Sequence, residues 1–162
     1  EVDMFTVHIQ GGEKMLTEVR KEVDKVSNKL NMNAPKIIGV TVLTSFLESD
    51  YKKSINIKDG SFNLQDQILY LAEIAHKARL DGIVCSVNDL KLITEKFDNK
   101  FLYITPGIRL NESKEDDQNR ISTPNNAVKK GSDILVIGRP VTSVSREHRR
   151  NKVLQILKEI NN

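Results

Sequence analysis

Asp133-Ile134-Leu135-Val136-Ile137-Gly138-Arg139-Pro140 decides how the rest of the chain is read. The apolar run 134–137 is too short for a helix and rich in β-branched side chains, the pattern of a strand buried on both faces of a parallel sheet. It stops abruptly at Gly138-Arg139. A glycine lets backbone N–H groups come close to a ligand, and an arginine beside it offers a planar fork that matches phosphate oxygens. The last strand is therefore expected to end in a phosphate grip.

Upstream of this stretch the same kind of unit recurs. Residues 4–9 (Met-Phe-Thr-Val-His-Ile) form a strand that Gly11-Gly12 breaks. The strand begins almost at Glu1, without an initiator methionine, so the chain reads as one whose start has been cut. Met15, Leu16, Val19, Val23, Val26 and Leu30 follow mostly at steps of three and four, which predicts an amphipathic helix. Residues 37–43 make a second buried strand, with the hydroxyls of Thr44 and Ser45 at its C-terminal tip. Residues 46–62 are polar and show no clear periodicity, a longer connection than usual. A helix with Leu64, Ile68, Leu71, Ala72 and Ala75 on one face leads to a third strand, residues 82–85. Ser86 is the expected cap of a helix carrying Leu90, Ile93 and Phe97. A fourth strand, residues 101–104, runs into Thr105-Pro106-Gly107-Ile108-Arg109, again a glycine and an arginine at a tip. After the polar loop 110–122, Thr123 and Pro124 start a helix that Gly131 stops. Beyond the opening stretch, Val153, Ile156, Leu157 and Ile160 mark the apolar face of a final helix.

Composition narrows the possible functions. The 162 residues are 38% hydrophobic and 29% charged, ordinary material for one domain with a sizeable core. The 25 basic and 22 acidic residues are scattered and aromatics are few, so a nucleic-acid partner is not expected and a small anionic ligand suits the chain better. The single cysteine, Cys85, excludes an internal disulfide framework and agrees with a reducing cytosol. No apolar run approaches the roughly 20 residues of a membrane span, and no charged-then-apolar leader opens the chain. The expectation is a soluble cytoplasmic protein without a membrane partner.

Strand and helix thus alternate five times, with Gly, Thr, Ser or Arg after each strand. Such alternation implies an α/β fold with a parallel sheet and right-handed crossovers, either doubly wound or closed as a barrel. Five units fall short of a complete barrel, which takes eight units and about 250 residues. Either the sheet is open or a barrel lacks its first part.

Several segments in order and at matching spacing carry a resemblance: Val7-His8 with Gly11-Gly12, residues 40–45, residues 81–86, residues 105–109, Asp117-Gln118-x-Arg120 with Thr123-Pro124, and residues 131–142. Together they are similar to orotidine 5'-phosphate decarboxylases of the bacterial type, nearly end to end. Residues 46–62 and the last helix carry little that is diagnostic. The resemblance implies a partial (β/α)8 TIM barrel, a single incomplete domain over residues 1–162 corresponding to the fourth through eighth strands with their helices. It implies the conversion of orotidine 5'-monophosphate to uridine 5'-monophosphate and CO2 in pyrimidine biosynthesis, either nucleotide as ligand, a homodimer for the full-length enzyme, and no metal or organic cofactor.

The same family places an aspartate on its first strand, a lysine on its second and an Asp-x-Lys-x-x-Asp motif on its third. No Asp-x-Lys-x-x-Asp occurs in these residues. The reaction needs a carboxylate beside the substrate carboxylate and a cationic proton donor beside the developing carbanion, which binding groups cannot replace. No catalytic residue is therefore assigned to this chain, and decarboxylation by it alone is not expected. The substrate-binding residues implied by the resemblance are Thr44, Arg109, Gln118, Gly138 and Arg139, the last two as the phosphate-binding pair and Gln118 on the loop that folds over the ligand.

Each has a plainer alternative. Arg139 as a structural ion-pair partner, Arg109 and Gln118 as solvated loop residues and Thr44 as a helix cap remain open from the residues themselves. His8 reads as a hydrogen-bonded core histidine, and Cys85 as a small buried hydrophobe. A non-catalytic remnant that self-associates or still holds a phosphate stays open as a second function. A sugar-phosphate relative of the same superfamily fits the 105–109 and 117–120 segments less well.

Overall fold

The computed structural model describes residues 2–58, 60–98, 100–110 and 120–161. Its five strands are β1 (Met4–His8), β2 (Lys36–Val40), β3 (Gly82–Val84), β4 (Leu102–Thr105) and β5 (Ile134–Leu135), parallel throughout and in the order β1-β2-β3-β4-β5. Between and after them lie α1 (Gly12–Leu30), α2 (Glu48–Ser54), α3 (Leu64–Lys77), α4 (Leu90–Phe97), α5 (Pro124–Lys129), α6 (Arg139–Thr142) and α7 (Arg146–Ile160). Strand order follows chain order with no reversal. A doubly wound sheet needs a point where the order reverses so that helices reach both faces. Without one, right-handed crossovers put all the helices on one face.

The core shows this directly. Phe5, Val7, Ile37, Ile83, Cys85, Tyr103, Leu135 and Ile137 share one face of the sheet by register and pack with Leu16, Ile68, Leu71, Ala72, Leu90, Ile93 and Ala127 from the helices. The alternate residues, Met4, Thr6, His8, Ile38, Val40, Val84, Leu102, Ile104 and Ile134, occupy the other face and belong to no part of that helix-packed core. Ile38 on this face is nevertheless only 1% exposed.

Several local expectations change. The second strand ends at Val40 rather than residue 43: Thr41 N–H and Oγ1 still donate to the Val84 carbonyl, at 3.2 and 2.8 Å, but the chain bends at Val42 and turns at Thr44-Ser45. The last strand pairs only over Ile134–Leu135; Val136 N–H still donates to Thr105 O at 2.9 Å, but Val136 is exposed. Residues 46–62 contain the helix α2, organised around the buried Tyr51. Ser86 caps no helix: α4 starts at Leu90 with Asp89 in the capping position. On α7 only Ile156 is buried, whereas Val153 and Leu157 are exposed. His8 is exposed on the bare sheet face rather than buried in the core. Thr123 does cap α5, its Oγ1 accepting from Asn126 N–H at 3.3 Å, with Pro124 in the first turn.

Two aspartates just ahead of strands tie each strand to its neighbour. Asp81 Oδ2 accepts the Ile37 N–H at 2.7 Å and the Arg20 guanidinium at 2.5 Å, while Arg20 Nε donates to Arg79 O at 3.1 Å. Asp133 Oδ2 accepts the Tyr103 N–H at 2.7 Å. Asp81 thus joins α1, β2 and the entrance to β3, and Gly82 beside it is required by space, since a methyl there would lie 2.6 Å from the Leu102 carbonyl oxygen. Asp81→Ala is expected to cost about 2–3 kcal/mol, because it strands the Ile37 N–H and removes the nearer of the two carboxylates beside the largely buried Arg20 guanidinium, leaving Asp24 at 3.5 Å. Urea denaturation measures the loss, and a change below about 0.5 kcal/mol contradicts the assigned role.

Candidate functional site

In a parallel sheet all the C-terminal strand ends meet at one rim, and here that rim holds a cleft of about 280 Å³. Its floor is apolar: Val40, Val84 and Val136 come from the bare face, and Val42, which also belongs to the packed core, lies just past the end of β2. Its polar walls come from three different strand tips: Thr44 and Ser45 after β2, Gly107 and Arg109 after β4, and Gly138 and Arg139 after β5. The structure thus gathers Thr44, Arg109, Gly138 and Arg139, separated by up to 95 positions in the chain (139 − 44), in one place. Gln118 lies outside the described residues.

The individual positions differ in how firmly they are held. Thr44 is buried and caps no helix, because α2 begins at Glu48 with Leu47 in the capping position. Arg109 is 9% exposed, and its Nη1 donates to the neighbouring Ile108 carbonyl at 2.9 Å. Arg139 is exposed and opens the four-residue helix α6. At Gly138 an added methyl would meet no atom within 4 Å, so the glycine leaves space on the cleft wall that protein atoms do not fill. Two guanidinium groups around an otherwise apolar floor make a receptor for an anion attached to a less polar body.

The turn that carries Arg109 is braced from behind. Gly107 has φ of 76°, in the left-handed region that favours glycine, and a Cβ there would lie 2.7 Å from the Arg120 carbonyl oxygen. Ser122 N–H donates to Gly107 O at 3.1 Å, Arg109 N–H donates to Ser122 O at 2.9 Å, and Ile108 pairs with Ser122 as a single parallel bridge. The Arg120 side chain turns away from the cleft to an ion pair with Asp89, with side-chain exposures of 11% and 8%. Asp89 Oδ2 also accepts the Ser86 N–H at 3.2 Å. Burial pushes the Asp89 carboxyl above the ordinary carboxylate range, against the opposing pull of Arg120 and the Ser86 N–H. Cys85 beside it is fully buried, and burial, then the Asp89 charge, pushes its thiol far up, which makes it an inert hydrophobe.

This pair was not found from the sequence, where Ser86 stood as a helix cap and Arg120 only as part of a motif. Nothing in the residues signals a contact across 31 positions. Among the described residues no group of three or more His, Cys, Asp or Glu could hold a metal ion. No helix among them is long and apolar enough to cross a membrane.

Comparison with known proteins gives one consistent result. The profile of the Orotidine 5'-phosphate decarboxylase / HUMPS family matches residues 1–151. The chain is 44% identical over 142 residues to the orotidine 5'-phosphate decarboxylase of Dictyoglomus thermophilum, covering 88% of this chain and 57% of that protein. It is 40% identical over 160 residues to the corresponding protein of Prochlorococcus marinus (strain MIT 9312), covering 98% and 64%. The crystal structure of orotidine 5'-phosphate decarboxylase from Lactobacillus acidophilus is similar with a TM-score of 0.76 at 30% identity, over 97% of this chain and 62% of that one. The chain therefore spans about three fifths of the length of these relatives.

Gly107→Ala tests the bracing of the Arg109 turn. The left-handed backbone and the clash with Arg120 O are expected to cost about 1–3 kcal/mol, with the amide resonance of Ser122 displaced in a nitrogen–proton correlation spectrum. Wild-type stability together with an unmoved Ser122 resonance would contradict the geometry.

Proposed function

The chain belongs to the orotidine 5'-phosphate decarboxylase / HUMPS family, and from that premise we propose that it is the nucleotide-phosphate-holding part of an orotidine 5'-phosphate decarboxylase. That enzyme is the lyase converting orotidine 5'-monophosphate to uridine 5'-monophosphate and CO2 in pyrimidine biosynthesis. The carrying observation is the convergence of Thr44, Arg109, Gly138 and Arg139 on one cleft at the C-terminal rim of a parallel sheet. In barrels of alternating strands and helices that rim holds the active site, and the loops after the last two strands commonly hold phosphate.

In this reading Arg139 and the backbone at Gly138 take the phosphate, Arg109 supplies a second cation to the nucleotide, and Thr44 offers a hydroxyl to it. Gln118 belongs to the same set by resemblance alone. The valine floor accepts the less polar part of the ligand. Phosphate binding far from the reacting carbon contributes to catalysis by drawing the site together around the substrate.

By the same reading, residues 1–162 are one incomplete domain and the five strands are the fourth through eighth of a (β/α)8 barrel. The unreversed strand order, the helix-free apolar face and the coverage of three fifths of the relatives all support it. The full-length protein is then a cytoplasmic homodimer, needing no cofactor. The open flanks favour a second reading as well, self-association: β1 and β5 each have one neighbour, and Met4 and Val136 on them are exposed.

Three measurements test these proposals. Calorimetric titration is expected to show uridine 5'-monophosphate binding this chain better than uridine. Arg139→Ala should remove about tenfold or more of that preference, the worth of one charge-assisted hydrogen bond; equal binding of the two ligands by folded wild type sinks the phosphate reading. Purified chain should release no CO2 from orotidine 5'-monophosphate, because no Asp-x-Lys-x-x-Asp is present; release that Arg139→Ala abolishes would refute this. Light scattering should show mass rising with concentration, and a constant monomer mass removes the self-association reading.

A further inference from the structure

Arg120 is a buried cation with little to compensate it. Its Nε and Nη1 are buried and without a hydrogen-bond partner, so among the described residues its charge is answered by Asp89 alone. A guanidinium in such surroundings is costly unless its partner is in place. Asp89, in turn, sits on a firm base. It stands at the head of α4, whose Leu90 and Ile93 are fully buried, and it is fixed by the Ser86 N–H.

The backbone of Arg120 abuts the turn that carries Arg109. Its carbonyl oxygen rests against Gly107, and two residues later Ser122 exchanges hydrogen bonds with Gly107 and Arg109. Arg120 itself is not among the residues lining the cleft, whereas Arg109 is. We propose that Asp89 is a positioning residue for the anion-binding cleft: through Arg120 it holds residues 120–122 against the turn at residues 107–109 and so sets where Arg109 stands. The line of contact runs from the core at Leu90 and Ile93 through Asp89, Arg120 and Ser122 to Arg109, without Asp89 touching the ligand.

The proposal rests on the phosphate reading of the cleft, and its test separates the two. Wild type, Asp89→Asn, Asp89→Glu and the double variant Asp89→Leu/Arg120→Met are compared in two measurements. The double variant removes both buried charges together, so it leaves no unpaired ion to unfold the protein. The first measurement is the preference for uridine 5'-monophosphate over uridine by calorimetry. The second is native-state hydrogen exchange at the Arg109 and Ser122 amides, relative to the paired amides of β3 and β4.

Asp89→Asn and the double variant are expected to lose roughly tenfold in nucleotide preference, the low end of what removing an outer orienting partner costs at metal sites. They should speed exchange at Arg109 and Ser122 while the strand amides keep their protection. Asp89→Glu should restore most of both. A folded double variant with wild-type preference and wild-type exchange at Arg109 and Ser122 overturns the proposal, as does an equal rise in exchange at all the amides, the mark of a merely structural pair. Wild type without a preference for the nucleotide defeats the phosphate reading instead, while the exchange measurement still decides whether Asp89 anchors the turn.

Discussion

Every connection in this sheet winds the same way. With strand order equal to chain order, each crossover adds its helix to the face already covered, and nothing in the topology can bring a helix to the other side. One face of the sheet is therefore the helix-packed interior, and the opposite one lies outside that core, with Ile38, Val40 and Ile104 buried on it and Thr6 and His8 exposed. The same winding aligns all the C-terminal strand ends, so that residues from distant units are delivered to one rim without any loop having to reach far. The cleft is a consequence of the winding. Most of its valine floor is the top of the bare face, and its polar walls are residues shortly after β2, β4 and β5.

The two arginines of the cleft are held differently, and this matters for what each can contribute. Arg109 is nearly buried, tied to Ile108 O and carried on a turn that Ser122 braces. On the proposed phosphate reading it would lose little freedom on binding. Arg139 is exposed at the start of a four-residue helix, so the two guanidinium groups meet solvent to different extents at one rim.

The sequence was readable wherever a residue type has one dominant physical use. Short apolar runs between breakers marked all five strands, steps of three and four marked α1 and α3, and Thr123-Pro124 marked the start of α5. It was unreadable where a contact depends on the fold. Residues 46–62 hid α2 because one buried side chain, Tyr51, organises it, and a single residue has no period. The strand ends at 43 and 137 were overextended because Leu43 and Val136 face the cleft and solvent rather than a neighbouring strand, and Ile137 packs on the core beyond the last paired residue. Ser86 was a reasonable cap by residue type, but Asp89 sits nearer to the helix and the turn between them closes first, with Asp89 N–H donating to Ser86 O at 3.0 Å. His8 was misplaced because the side of a strand that faces no helix cannot be known before the winding is known.

Two of the three polar walls of the cleft are held from behind by groups that never line it. On the β4 side the brace is the Asp89–Arg120 pair. On the β2 side it is an aromatic cluster: Tyr51 of α2 packs at a tilt against Phe62 at 6.0 Å and meets Phe46 edge-on at 5.8 Å, while Gln10, in the turn after β1, donates to its hydroxyl. Glu48 completes the wall by accepting the Leu64 N–H at 2.9 Å, which joins the first turn of α2 to the first turn of α3. Phe46 follows Thr44 by two residues, so the cluster fixes the chain just beyond the hydroxyl that faces the cleft. A long polar connection would leave Thr44 free to wander. Anchored by three rings in contact, it is held about as firmly as a residue on a regular element, which is what a short side chain requires if its single hydroxyl is to meet a ligand at hydrogen-bond distance.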